Sequence, residues 1–469
     1  MFWNRQQKPA IHLIGVGGSG MSGIAELLLA SEFPVSGSDL TRSTITDRLE
    51  SLGAKIYYDH HASHIQQPSC VVVSSAVQVS NPEWQEAVRR SIPVIQRAEM
   101  LAELMRLKKG IAVAGSHGKT TTTSLLGQVL HSLDPTVVVG GRLQHWNASS
   151  LVGKGSTFII EADESDRSFL KFSPVYSIVT NIDLEHLDNY RDLNDIKDCF
   201  VSFLNRTAFF GENWICADCE NLQSIRPRLN KPTKTFGYAE DADIRITRVE
   251  WERTKSLFCL ERKTGEDLGS FEIPVPGRHN ILNATGAISL ALSLGIGLTS
   301  LRRSLKNFVQ ADRRLQTHYR SERFAVVEDY AHHPTEIRAA MEGVSQMFPG
   351  FRKIVIFQPH RYTRTKALWD EFVGALGGLS DELYLLPIYA AHEAAIEGVS
   401  SDRLAADIGT RANLWGALPQ ASVFASECSV RQEPVVAVVL GAAPLTSFAK
   451  SLAFELESLA SRSAVISKV

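Results

Sequence analysis

The sequence predicts an α/β protein of three domains built on parallel sheets. Short apolar runs alternate with helically spaced stretches along the chain, the pattern of repeated strand–helix–strand units. Two glycine loops, opening at Gly15 and Gly115, each follow an apolar strand and lead into a helix. The 469 residues, at roughly 150 per domain, correspond to about three domains. An apolar fraction of 44% with 21% charged residues excludes wholesale disorder.

The first unit, residues 1–108, opens on the strand Ile11-His-Leu-Ile and its glycine loop, followed by helical spacing from Met21 to Ala30. A second strand, Pro34-Val-Ser-Gly-Ser, ends at Asp39, and Cys70-Val-Val-Val is a third with a small-residue exit through Ser75. The polar break Lys108-Lys-Gly110 separates it from the second unit, residues 109–311. There the strand Ile111–Gly115 runs into Ser116-His-Gly-Lys-Thr-Thr121 and a helix to Ser132. Strands at Ser156–Glu161 and Tyr176–Asn181 end in acids and a histidine. Alternation in Ile244-Arg-Ile-Thr-Arg-Val predicts antiparallel strands over 243–273. Gly277-Arg-His-Asn then opens an apolar helix. The third unit, 312–469, carries parallel-type strands at Phe324–Asp329, Lys353–Phe357, Glu382–Leu386 and Val435–Leu440.

Lys plus Arg is 49 and Asp plus Glu 51, a net charge of −2 with no basic block. This argues against sequence-independent nucleic-acid binding, but a local anion site needs only a few cations. Six cysteines are too few for a disulfide scaffold, and Cys216 and Cys219 form a CxxC without a second one. They predict a reducing, cytoplasmic setting. The polar N-terminus predicts no signal peptide, and no apolar run reaches the roughly 18 residues of a membrane span, so no membrane insertion is expected.

Gly15-x-Gly17-x-x-Gly20 fits a pyrophosphate-binding turn, with Asp39 where an acid meets a ribose hydroxyl. Backbone N–H groups and a helix N-terminus favour any such anion, a UDP-sugar as well as NAD. Gly115-Ser116-His117-Gly118-Lys119-Thr120-Thr121 is a phosphate cradle: amides and Lys119 hold phosphates, and the Thr120 hydroxyl suits Mg²⁺. Val113 stands where a standard Walker A has glycine. Glu161-Ala-Asp-Glu-Ser-Asp166 closes the next strand with the carboxylates of a hard-cation site, and His186 follows another strand. Arg361 and Arg364, spaced three apart, suit one carboxylate-bearing ligand.

Together these motifs, in one order over nearly the whole chain, resemble the Mur ligases of peptidoglycan synthesis. Gly15–Met21 with Gly37-Ser-Asp39 resembles their uridine-nucleotide segment. Ser116–Thr123, Glu161–Asp166 and Asn181…His186 resemble their ATPase core, and Gly277-Arg-His-Asn-x-x-Asn283 their adenine segment. Asp329-Tyr-Ala-His-His-Pro and His360-Arg-Tyr-Thr-Arg resemble their C-terminal signatures.

The resemblance implies a Rossmann-like N-terminal domain, a P-loop-type ATPase domain and a Rossmann-like C-terminal domain. It implies the member type that adds L-alanine to UDP-N-acetylmuramate with ATP, through an acyl phosphate, as a monomer or weak homodimer. Gly15, Gly17, Gly18, Ser19, Gly20, Met21, Asp39 and Ser75 would meet the UDP-sugar. Gly115 through Thr121, with His279, Asn280, Asn283, Arg314 and Asp329, would meet ATP. Thr120 and Glu161 would hold one Mg²⁺ and His186 a second. Tyr330, His332, Arg361 and Arg364 would take the alanine side and the developing oxyanion. The catalytic set implied is Lys119, Glu161, His186, His332, Arg361 and Arg364.

Three positions depart from the family pattern. Ala331 replaces a usual glycine. Leu440-Gly-Ala-Ala-Pro444 replaces a Gly-Ala-Gly loop, and Ala443 disfavours positive φ there. Val201 stands where other members carry a carbamylated lysine, with Lys197 out of register, as in the alanine-adding type. Rival readings are an NAD-dependent oxidoreductase, a tripeptide-recycling ligase, a folylpolyglutamate synthase and a non-catalytic nucleotide-binding module. The oxidoreductase leaves Lys119, the 161–166 acids and Arg364 unexplained.

Overall fold

The computed structural model describes residues 8–74, 76–143, 148–409 and 411–466. The predicted α/β architecture is present as three groups of parallel strands with helices between them. The first sheet holds β1 (Ile11–Ile14), β2 (Val35–Ser38), β3 (Lys55–Tyr57), β4 (Cys70–Val73) and β5 (Val94–Gln96), in spatial order β3-β2-β1-β4-β5. All neighbours are parallel. The order reverses at β1, so the first glycine loop leaves the sheet at its switch point, where doubly wound sheets bind ligands.

The central strands are β6 (Lys109–Ala114), β7 (Thr136–Leu143), β8 (Ala148–Leu151), β9 (Thr157–Glu161), β10 (Tyr176–Val179), β11 (Glu212–Cys216) and β12 (Thr233–Gly237). They lie in the order β12-β11-β10-β6-β9-β7-β8, parallel except for β8. This puts the acid end of β9 on one side of β6 and the exit of β10 on the other, flanking the second glycine loop. Strands β13 (Ile244–Trp251), β14 (Ser256–Arg262) and β15 (Asp267–Ile273) form the expected antiparallel meander.

The last sheet comprises β16 (Gln316–Arg320), β17 (Phe324–Asp329), β18 (Arg352–Phe357), β19 (Glu382–Leu385), β20 (Ala412–Leu414) and β21 (Val435–Leu440), ordered β16-β17-β21-β18-β19-β20. Only β16 is antiparallel to its neighbour. The unbroken apolar run of β21 follows from cover on both faces. Val436, Val438 and Leu440 pack with Ile337, Met341 and Phe372, whereas Val435, Ala437 and Val439 pack with Phe424, Phe448 and Leu452. The sequence reading leaves β3, β5 and β20 unmarked, and also β7, β8, β11, β12 and β16. Three residues, as in β3, β5 and β20, carry too little period to stand out from loop.

These elements gather into two compact units. One contains the described residues of Met1–Ile182, Asn194–Asp243 and Gly286–Leu301, the other Asp183–Leu193, Ile244–Thr285 and Arg302–Val469. Among the described residues no helix is long and apolar enough to cross a membrane.

Candidate active site

In the first unit, β1 ends at Ile14, and the amides of Gly15 and Val16 both donate to the Ser38 carbonyl, at 2.8 and 3.0 Å. Asp39 Oδ2 accepts the Gly17 amide at 2.9 Å, and Oδ1 accepts Thr41 N at 3.2 Å. A Cβ at Gly17 would lie 2.9 Å from Asp39 Oδ2, so that position has no room for a side chain. Asp39, expected at a ribose hydroxyl, therefore also pins the glycine loop from the neighbouring strand. Gly18 is the N-cap of the following helix, Ser19–Ala30. Met21 differs from its expected place at the ligand: its side chain is 2% exposed and packs in the core, and its amide donates to the Gly18 carbonyl. Ser75 lies outside the described residues, as does the side chain of Ser19.

The second loop leaves β6 at Gly115 and caps the helix Lys119–Val129 at Gly118, whose φ of 82° is a left-handed conformation glycine adopts freely. Lys119 Nζ reaches back over the loop to the carbonyls of Gly115 and Ser116, at 2.7 and 3.2 Å, and to Glu164 Oε1 at 2.8 Å. Burial opposes the ammonium charge. The fields of Glu164 and Asp163 and the bond to Glu164 outweigh it and raise the Lys119 pKa. A fixed cation thus stands at the mouth of the loop. Thr120 Oγ1 donates to Glu161 Oε1 at 2.9 Å, and the Gly140 amide donates to Glu161 Oε2 at 2.7 Å. Burial raises the Glu161 pKa against the pull of Gly140, Lys119 and Thr120. Thr121, expected at the phosphates, is 4% exposed. Ser116 is also buried.

Glu164 and Asn181 lie inside motifs the sequence marks, Glu161–Asp166 and Asn181…His186, without a role assigned to either there. Glu164 is the ionic partner of Lys119. Asn181 holds the loop tip, with its Oδ1 accepting His117 N at 2.8 Å and its Nδ2 donating to His117 O at 3.0 Å. No signal along the chain ties position 181 to 117; adjacency of β10 and β6 does.

In the second unit, His186 has a φ of 56° and lies 3.6 Å from Glu185. Arg361 (φ 71°) reaches Asp188 at 2.8 Å, and Arg364 reaches Glu185 at 3.9 Å and His360 at 3.3 Å. Such left-handed conformations cost about 1–3 kcal/mol for non-glycine residues and gather at functional sites. The spacing of Arg361 and Arg364 predicts one carboxylate-bearing ligand shared by both; in the structure each faces a different carboxylate of the protein's own segment 183–193. They line one cleft with His186 and Thr363.

Tyr330 carries the guanidinium carbons of Arg313 and Arg314 over its ring, at 4.8 and 5.4 Å from the centroid. Arg314 approaches Glu336 at 3.8 Å. The Nδ1 of His332 meets Tyr330 O and Glu336 Oε2, both at 3.1 Å, and its ring is edge-on to that of Tyr330. His332 is thus held against Tyr330 and Glu336.

Asp329, expected near the ribose, is buried, and its two oxygens accept the amides of Leu315 and Ala331 at 2.8 Å each. It ties the chain entering the last sheet to the loop after β17. Burial pushes its pKa up to about 6 against the pull of Arg314 and the two amides. Ala331 is buried and not among the positive-φ residues, so no glycine is required there. In the 440–444 loop the positive φ falls at Gly441 (143°), not at Ala443. Arg313 donates to the carbonyls of Gly441 and Ala443, at 2.5 and 2.7 Å, and holds that loop.

His279 Nδ1 and Asn280 Oδ1 are buried polar atoms without a hydrogen-bond partner. Asn280 Nδ2 donates to Pro276 O at 2.6 Å, and Asn283 is 5% exposed. Unpartnered buried groups side by side in sequence are what a polar base edge would satisfy. Burial, then the field of Arg314, lowers the His279 pKa to about 4, so the ring is neutral near pH 7. A folded-state pKa below the ordinary value means stability lost as pH falls from about 6.5 towards 4. The His279 Cε1–H resonance should titrate near pH 4; a midpoint near 6.5 would show a solvated ring.

A glycine loop with a fixed lysine and a threonine–carboxylate pair, all within the first unit, defines an enzyme that uses a nucleoside triphosphate. Family models for the Mur ligase family catalytic domain, the Mur ligase middle domain and the Mur ligase glutamate ligase domain match residues 10–109, 113–291 and 313–442. The chain belongs to the Mur ligase family, and it is an ATP-dependent amide-bond-forming ligase. It is 49% identical to the UDP-N-acetylmuramate–L-alanine ligase of Koribacter versatilis over 84% of this chain and 86% of that one. It is 44% identical to the enzyme of the same name from Acidobacterium capsulatum over 96% and 98%. The crystal structure of a UDP-N-acetylmuramate–alanine ligase from Thermotoga maritima superposes with a TM-score of 0.74 at 28% identity, covering 96% of this chain and 99% of that one.

Proposed function

We propose that this protein joins L-alanine to the carboxylate of UDP-N-acetylmuramate, consuming ATP and releasing ADP and phosphate, in peptidoglycan precursor synthesis. The observation that carries the phosphoryl-transfer half is the Lys119–Thr120–Glu161 constellation on one loop and the adjacent strand. The names of the 44–49% identical relatives support the choice of substrates. The domain limits proposed are 1–108 for the UDP-sugar domain, 109–311 for the ATPase domain and 312–469 for the amino-acid side.

Loop amides and Lys119 bind the triphosphate, and the fixed ammonium offsets charge as the γ-phosphoryl moves to the muramoyl carboxylate. His279, Asn280 and Asn283 take the adenine. Arg314 takes phosphate oxygens, and Asp329 positions the chain beside it. The alanine amine then attacks the acyl phosphate, and Tyr330, His332, Arg361 and Arg364 hold its carboxylate and the developing oxyanion. The hydroxyl of Thr120 and the carboxylate of Glu161, in contact at 2.9 Å, are the hard oxygen donors Mg²⁺ prefers. His186 would serve a second ion. Bound there, Mg²⁺ supplies charge neutralisation for the phosphates. The setting proposed is cytoplasmic, and the state a monomer or weak homodimer.

The test is phosphate release from ATP, Mg²⁺ and UDP-N-acetylmuramate with single amino acids. Release that depends on L-alanine is expected. Release with a tripeptide only would move the assignment to a recycling ligase, and none with any acceptor would overturn it.

A further inference from the structure

We propose that Asn181 is a positioning residue that aims the phosphate loop, acting through the peptide between His117 and Gly118. This deepens the proposed ATPase function and rests on it. The Asn181 amide is a two-sided clamp: it takes the N–H of His117 at 2.8 Å and gives an N–H to its carbonyl at 3.0 Å. Thr180 Oγ1 donates to the same carbonyl at 2.5 Å, and the Asn181 carbonyl accepts Ser116 N at 3.2 Å. Two successive residues of β10's exit therefore fix both peptide planes that meet at His117.

A peptide is planar and trans, so its N–H points opposite to its C=O. With the His117 carbonyl drawn toward Thr180 and Asn181, the Gly118 N–H is turned away from them. It sits at the N-terminus of the helix Lys119–Val129, where donors and the helix dipole favour an anion. Neither side chain need touch the nucleotide. Loss of the clamp releases a peptide flanked by glycine, which has many alternative conformations, so the loop amide is no longer held ready.

The experiment measures ADP binding by calorimetry and steady-state constants for all three substrates, in wild type, Asn181→Ala and Thr180→Val. Thr180→Val removes a single hydroxyl at constant shape. The expected result is a rise in ADP Kd and ATP KM of roughly tenfold for Asn181→Ala and a smaller rise for Thr180→Val. KM for the other substrates should stay within about twofold and the thermal midpoint within a few degrees. ADP Kd unchanged in both variants overturns the proposal. So does a fall in Tm accompanied by proportionate losses for every substrate, since that marks a merely structural residue. Wild type that fails to bind ADP would instead overturn the phosphate-loop reading itself.

Discussion

Lys119→Ala is expected to reduce alanine-dependent phosphate release by at least roughly 10²–10³-fold, the scale of losing one preorganised charge partner of a transition state. Two losses combine in that variant. The transferring phosphoryl group loses the ammonium, and Glu164, 1% exposed, loses its ionic partner. Taking the opposite charge away from a buried carboxylate is destabilising in its own right. The double variant Lys119→Met/Glu164→Gln separates the two, because it removes both charges together. Thermal midpoint should recover toward wild type while phosphate release stays low. If activity recovered with stability, Lys119 would be a structural cation and not a catalytic one.

Glu83→Ala is expected to destabilise the protein by about 3–5 kcal/mol, the scale of removing one member of a buried charged network. Glu83 is fully buried at the start of the helix Pro82–Arg89. It accepts from Ser38 Oγ at 2.5 Å, from His64 Nδ1 at 2.7 Å and from His60 Nδ1 at 3.2 Å, with His12 Nε2 3.7 Å away. Burial alone would raise its pKa. The nearby His12 and the hydrogen bonds from Ser38 and His64 more than reverse this and bring it down to about 2. The sign follows: a lowered carboxylate pKa contributes stability in full above about pH 4.5, lost as pH falls toward about 2. Denaturant unfolding at pH 7 measures the loss, and a change below about 1 kcal/mol would show that water replaces the network. Ser38 borders Asp39, so the same variant should also loosen the strand end that holds the first glycine loop.

Both glycine loops were legible because their chemistry is local. A strand, a few glycines and a helix start within ten residues build a phosphate cradle whatever surrounds them. The residues alone mark an acid run at a strand's end beside the loop, the resemblance singles out Glu161 with Thr120, and the fold puts the two in hydrogen-bond contact. Met21 sits inside the first glycine motif, but its side chain packs in the core. The spacing of Arg361 and Arg364 points to one shared ligand carboxylate, but spacing along a chain does not name the partner, and in the fold they face two separate carboxylates, Asp188 and Glu185. The absent glycine at 443 was expected to matter for loop conformation. Gly441 carries the positive φ instead, and Arg313 holds the loop carbonyls.

The sequence by itself determined the three-part α/β plan, the order of its sites and the chemistry of each loop, because helix and strand periods and glycine turns are short-range properties. Only the tertiary structure decided that Asn181 grips His117, that Glu164 holds Lys119, and that Glu83 gathers His60, His64 and Ser38. Each of these bonds joins residues between 19 and 64 positions apart. Their geometry depends on which strands lie side by side, and strand order is set by packing the whole sheet, not by any local run of residues.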